Sequence, residues 1–377
     1  MSVVAAEPAS GPVDSLDELV AQRRIVVCCG SGGVGKTTVA AVAGLEGARR
    51  RRRTVVVTID PAKRLADALG LAGLSDTPGR IEGDWPGELW AMMLDTRSTF
   101  DALVGKYAAT PEQAERILAN RFYRNISSAL SGTQEYMAME KLYELHEEAD
   151  FELVVVDTPP TRHALDFLDA PRRLSRFLEH RLFRMLMAPS RGFVRAVNVA
   201  AQTFLRTVSK VVGGEVVDDA IAFFKAFEGM EEGFRQRAER VNELLAAPET
   251  AFVLVASPRR DTVAEAQFFA DRLAEAGIAV QGLVVNRLHP SFGSPGDGRA
   301  ASGEATAERA RTLQATELGA LYRNLAELRT VSARELDHLG GLAAAVDPAP
   351  VVRVPFLSTD VHDIAGMGEL ARYLFTD

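Results

Sequence analysis

The sequence predicts an α/β fold, a doubly wound and mostly parallel sheet with an inserted helical subdomain. Three observations carry this. Short β-branched runs ending in polar or turn residues recur along the chain, amphipathic helical patterns lie between them, and two long stretches are helical in pattern with no convincing strand.

In chain order, residues 1–23 read as a flexible N-terminal tail; Met1 to Leu19 holds Glu7, Asp14, Asp17 and Glu18 and no apolar core of the kind a targeting segment needs. The rest, 24–377, reads as one nucleotide-binding domain. Its strands are Ile25–Cys29, Thr54–Ile59, Leu89–Leu94, Leu153–Val156, Phe252–Ala256, Val280–Val285 and Val351–Val354, each an apolar run of the kind buried on both faces. In Thr37–Arg50 and Val263–Ala276 apolar residues recur at three and four, with charges on the opposite face. The helical subdomain spans about 97–148 and 171–247, the two stretches Arg97 to Glu148 and Pro171 to Ala247. A Gly/Ser/Pro-rich segment at 291–303 reads as a mobile loop, and a helix is expected from Ala305 to Leu339.

The 377 residues are 47% hydrophobic and 25% charged, the composition of a soluble globular protein. A formal net charge of -8 provides no global positive field for nucleic acid or anionic lipid, and no apolar stretch approaches a membrane span. The expected location is therefore cytoplasmic, with peripheral contact at a membrane left open. Cys28 and Cys29 are adjacent in an apolar run, which excludes a disulfide framework and a structural zinc site within the chain.

Immediately after the first strand stands Gly30-Ser31-Gly32-Gly33-Val34-Gly35-Lys36-Thr37-Thr38, a match to G-x-x-x-x-G-K-[ST] in the strand-before, helix-after setting that the motif needs. Glycines let successive N–H groups turn inward around phosphate oxygens, and the following helix aims its positive end at them. Lys36 is expected to neutralise β/γ-phosphate charge, and the Thr37 hydroxyl to bind Mg²⁺. Leu153-Val154-Val155-Val156 ends in Asp157, the Walker B form, whose carboxylate can hold the Mg²⁺ water shell. Two further strand ends fall where open α/β sheets bind ligands. Asp60, before Pro61, is either functional or a turn starter and helix cap. Asn286 either reads an adenine edge or makes a plain Asx-turn.

Taken together, Gly30 to Thr38, Asp60-Pro61-Ala62, Asp157 to His163, Asn286 and Pro355 resemble the arsenite-pump and tail-anchored-protein-targeting ATPase family, a branch of the deviant Walker A P-loop ATPases that also includes partitioning proteins. The nearest resemblance is to an actinobacterial subgroup of anion-transporting ATPases, and it covers most of the chain. It implies ATP and Mg²⁺ as cofactors and a dimer that closes around ATP. It also places Asp60 in switch I orienting the attacking water, Asp157 to His163 as switch II, and Asn286 with Pro355-Phe356-Leu357 at the adenine pocket.

The departures from the family pattern are informative. Ser31 stands where the family has a lysine that reaches phosphate across the dimer, so a heterodimer with a paralogous ATPase retaining that lysine is expected. A homodimer would need Arg162, which replaces a usual glycine, to compensate; Lys63 stands where the family often has His. Zinc-binding and arsenite-binding cysteines are absent.

Arg49 to Arg53 is either a nucleic-acid patch or a set of partners for a helix C-terminus. Between Pro171 and Lys210 nine basic residues face a single acid, Glu179, with apolar residues at helical spacing. That pattern suits a hydrophobic client, a membrane surface, or packing within the subdomain. The functional expectation is a Mg²⁺-dependent ATPase working as a nucleotide-switched dimer with a membrane-associated client or partner. The alternatives are a poorly hydrolysing regulatory subunit and a DNA-partitioning ATPase.

Overall fold

The structure is a computed structural model, and it describes residues 13–60, 62–124, 133–147, 149–159, 214–290 and 303–375. Pro61, Arg162, His163, the basic stretch Pro171 to Lys210 and residues 291–302 lie outside them. The chain divides into two units, one of Met1–Met93, Asp150–Leu165 and Pro248–Asp377 and the other of Leu94–Ala149 and Asp166–Ala247.

In the first unit, eight strands form one sheet: β1 (Ile25–Gly30), β2 (Arg53–Thr58), β3 (Gly79–Ile81), β4 (Glu88–Met93), β5 (Leu153–Asp157), β6 (Thr250–Ala256), β7 (Val280–Leu288) and β8 (Val351–Pro355). Their order is β3-β4-β2-β5-β1-β6-β7-β8, and every pairing is parallel except β3 with β4. This is the doubly wound fold expected from the sequence. All six residues of β1 and all seven of β6 are buried, as two-sided burial under helices requires. The strand missed by the sequence reading, β3, has three residues and only one buried apolar side chain, Ile81, too short to leave a periodic signal.

Helix α2 (Lys36–Arg49) returns from β1 over one face, burying Val39, Val42 and Leu45 among others. Residues 13–22, assigned to the tail from sequence, instead carry helix α1 (Leu16–Gln22). Ser15 caps it by accepting from the Glu18 N–H at 3.2 Å, and Leu16, Leu19 and Val20 join the main core. The helix expected over Ala305 to Leu339 is two helices, Gly303–Thr312 and Glu317–Ala345. The break falls at Thr316, whose extended backbone and hydroxyl cap the second helix at Gly319 N–H.

Three arginines of the run, Arg50, Arg52 and Arg53, are taken up by the fold, while Arg49 and Arg51 are exposed. Arg50 pairs with Asp17 at 2.6 Å and with Glu46 at 3.0 Å, Arg52 reaches the carbonyls of Val20 and Glu152, and Arg53 pairs with Glu88 while its guanidinium lies 4.8 Å from the Phe151 ring centre. These contacts tie α1, α2 and the lower ends of β2, β4 and β5.

The second unit has its own core, in which Phe100, Tyr123, Phe223, Phe227 and Phe234 stack between helices that include Thr96–Tyr107, Pro111–Leu118, Gly214–Phe227 and Glu231–Ala246. Glu140 and Arg237 form a buried ion pair there at 2.6 Å, with the guanidinium 3.6 Å from the Tyr143 ring centre. Among the described residues no helix is long and apolar enough to cross a membrane.

Candidate functional site

The site begins where β1 stops. Gly30 leaves the strand at φ 146, and a Cβ there would stand 2.0 Å from the backbone carbonyl oxygen of Val255 on β6, so only glycine lets the loop start so close to the sheet. Residues 31–35 then wrap to the first turn of α2, whose N-cap Gly35 is left-handed (φ 98) and contributes no side-chain cap. The opening N–H groups of α2 are therefore not consumed by a cap, and no acid stands in its first turn.

Lys36 is buried, and its ammonium donates to the Ser31 carbonyl at 2.8 Å. Desolvation lowers its pKa, with Asp157 foremost among the groups pulling it back up. Asp157 ends β5 in register with Cys28 on β1 and Thr58 on β2, at the centre of the carboxyl edge. Its Oδ2 accepts from the Thr58 hydroxyl at 2.9 Å. Oδ1 is buried with no protein partner. Burial pushes this carboxyl up to about 6, against the pull of the Thr37 and Thr58 hydroxyls and of Lys36. A buried carboxylate oxygen without a donor, beside a threonine hydroxyl and an uncapped helix start, is a donor set suited to a hydrated hard cation such as Mg²⁺.

Asp60 follows β2. Its N–H donates to the Thr58 hydroxyl at 3.2 Å, its Oδ1 accepts from the Ala62 N–H at 2.9 Å and its Oδ2 from Arg64 at 2.8 Å. The turn that Asp60 could start is thus present, as an Asx-turn, and Thr58 joins the two acidic residues by donating to the Asp157 carboxylate and accepting from the Asp60 backbone N–H.

A cleft of roughly 400 Å³ opens beside the loop. It joins Gly33, Gly35, Lys36, Thr37 and Thr38 to Asn286, Pro355 and Phe356, while Gly30, Gly32, Val34, Asp60 and Asp157 do not line it. Asn286 Nδ2 donates to the Val34 carbonyl at 2.9 Å and Oδ1 accepts from the Arg287 N–H at 2.9 Å, which leaves one amide hydrogen and one lone pair. Phe356 is 60% exposed and stacks on His289 with ring centres 6.3 Å apart, offering a flat apolar face. The cleft residues missed from sequence include two cations, Arg64 and Arg287. Arg287 directly follows Asn286 at a strand end, the signal that could have found it.

Cys28 and Cys29 lie under the loop, fully buried, and burial pushes both thiols up, so neither offers a thiolate. Among the described residues no cluster of three or more His, Cys, Asp or Glu side chains is placed to hold a metal ion.

The family model described as anion-transporting ATPase matches residues 23–298, most of the chain and the whole stretch from β1 to β7. The chain belongs to this family. It is an ATPase. Relatives of this ATPase include an ATPase ASNA1 homolog of Dictyostelium discoideum, 25% identical over 69% of this chain and 70% of that protein. ATPase GET3 of Malassezia globosa is 27% identical over 71% of this chain and 74% of its own length. A protein named as an arsenical pump-driving ATPase from Aquifex aeolicus is 22% identical over 94% of this chain and 79% of its own.

Proposed function

We propose that the chain is a Mg²⁺-dependent ATPase whose nucleotide state switches a dimer and couples it to a membrane-associated client or partner, of the anion-transport or membrane-protein-targeting type. The observation that carries the site chemistry is the orphaned Oδ1 of Asp157 beside Thr37, below a loop whose lysine is parked on a carbonyl. Thr37 and, through water, Asp157 would hold Mg²⁺, which neutralises phosphoryl oxygen charge when bound. Lys36, exchanging the Ser31 carbonyl for phosphate, grips the nucleotide. Gly30, Gly32, Gly33, Val34 and Gly35 shape the cradle, and Thr38 continues it into the first turn of α2. Asn286, Pro355 and Phe356 are assigned to the adenine. Asp60 orients the attacking water: each of its oxygens keeps a lone pair beyond the bonds to Ala62 and Arg64.

The test separates the two roles. Lys36→Ala should abolish ATP binding, whereas Asp60→Asn should retain binding and stop turnover. Equal loss of binding in both would refute the role given to Asp60. The basic amphipathic pattern of Pro171 to Lys210 supports the client assignment. Reversing its charges should leave ATP binding intact and remove association with liposomes or hydrophobic peptides, and unchanged association would assign that face to internal packing.

A second reading, a heterodimer, is favoured by Ser31. Its side chain is only 2% exposed, so this position presents neither charge nor reach to a second subunit. A paralogous ATPase that supplies a lysine would complete the site, a contribution worth about 10³ to 10⁵ in rate for a trans-acting cation. Native mass spectrometry of the protein from its own host should then show two different chains. A homodimer with fast turnover lost in Arg162→Ala would assign the charge to Arg162 instead.

A further inference from the structure

Two consecutive side chains at the end of β7 hold two consecutive carbonyls of the phosphate loop. Asn286 Nδ2 takes the Val34 carbonyl at 2.9 Å and Arg287 Nη1 takes the Gly33 carbonyl at 3.0 Å. In a regular strand these side chains would point to opposite faces. The alternation is broken here: Arg287 is left-handed at φ 65, costly for a residue with a side chain, and the β7–β8 register shifts between Val285 and Leu288. An irregularity of this kind re-aims a side chain. Asn286 Oδ1 fixes it by accepting the Arg287 N–H.

The consequence lies on the far side of the loop. A trans peptide points its C=O and N–H in opposite directions. Holding the Gly33 and Val34 carbonyls toward β7 therefore turns the N–H groups of Val34 and Gly35 away from it, the orientation that an anion cradle needs.

We propose that Arg287 is a positioning residue for phosphate binding, acting through the Gly33 carbonyl to keep the loop's N–H groups aimed at phosphate. This rests on the ATP-binding reading of Gly30 to Thr38. Arg287 is exposed, so its replacement removes the grip without opening the core.

The experiment is a titration of the full-length chain with ADP, and competition of bound ADP by pyrophosphate, in wild type and in Arg287→Ala, Arg287→Lys and Arg287→Gly. Loss of one charge-assisted hydrogen bond should weaken ADP about tenfold in Arg287→Ala, and pyrophosphate, which has no base, by the same factor. Arg287→Lys should recover most of the affinity. Arg287→Gly relieves the left-handed backbone yet removes the guanidinium, so it should behave as Arg287→Ala, and melting of the nucleotide-free protein should fall in none of them.

The inference is overturned if Arg287→Ala binds ADP as wild type does, if Arg287→Gly keeps full affinity, or if ADP weakens while pyrophosphate does not, which would make Arg287 a base contact. Failure of the wild type to bind ADP would instead overturn the reading of the loop, and this inference with it.

Discussion

Asp157→Asn should stabilise the nucleotide-free protein and, if Asp157 holds Mg²⁺ as proposed, remove ATP hydrolysis. Asp157 is 1% exposed, and its carboxyl is held at about 6 instead of 3.8. The raised value favours the protonated form in the fold, so the associated stability is present below pH 3.8 and is lost as pH rises through about 6. At pH 7.5 the buried charge costs about 3 kcal/mol, at roughly 1.4 kcal/mol per tenfold in proton affinity; at pH about 4.5 the cost is about 1 kcal/mol. The amide can keep the Thr58 bond, but it puts an NH₂ where Oδ1 has no partner, an offset of about 1–3 kcal/mol. That offset does not depend on pH. The decisive quantity is therefore the change in the stability gap between variant and wild type, about 2 kcal/mol in the variant's favour from pH about 4.5 to 7.5. Urea denaturation in chelator, followed by Trp85 and Trp90 fluorescence, reports on the unit that carries the site. Parallel pH profiles, or a wild type that gains on the variant as pH rises, would refute the reasoning.

Gly35→Ala should cost about 1–3 kcal/mol of stability and more than about tenfold in ADP affinity, because a left-handed backbone is combined with a Cβ placed 2.3 Å from Asn286 Nδ2. Gly33→Ala is the control: its φ is 77 but nothing lies within 4 Å, so calorimetry should show only the backbone cost, about 1 kcal/mol. Ser31→Lys should raise the steady-state turnover of the isolated chain if a missing cation limits it, and an unchanged or lower rate would remove the support that Ser31 lends to a heterodimer.

The strand-end rule made much of the site readable. Asp60, Asp157 and Asn286 each end an apolar run, and the register of β2 and β5 puts the Thr58 hydroxyl between the Asp157 carboxylate and the Asp60 backbone N–H. Arg287 was not readable. An arginine after a strand is ordinarily solvated, and only the shifted register and left-handed backbone turn it onto the loop. Helix α1 was overlooked because acidic composition outweighed pattern, although Ser15 to Glu18 has the S-x-x-E spacing of a capping box. The arginine run left two readings open, since its partners Asp17, Glu88 and Phe151 come from three separate segments that no local pattern connects.

The strand order would let one loop serve both ends of a nucleotide under the proposed function. With β1 central, the flank formed by β5 and β2 carries Asp157 and Asp60, and the flank formed by β6, β7 and β8 carries Asn286, Arg287 and Phe356. Residues 30–37 meet both: Gly30 abuts β6, Val34 and Gly33 are held from β7, and Lys36 and Thr37 face Asp157. A fold selected for stability alone would not keep a desolvated lysine, a carboxyl raised by burial and the partnerless Ser31 hydroxyl within a few residues of this loop. Their shared location, at a loop that both flanks grip, is what a site built around a polar, multiply charged ligand requires.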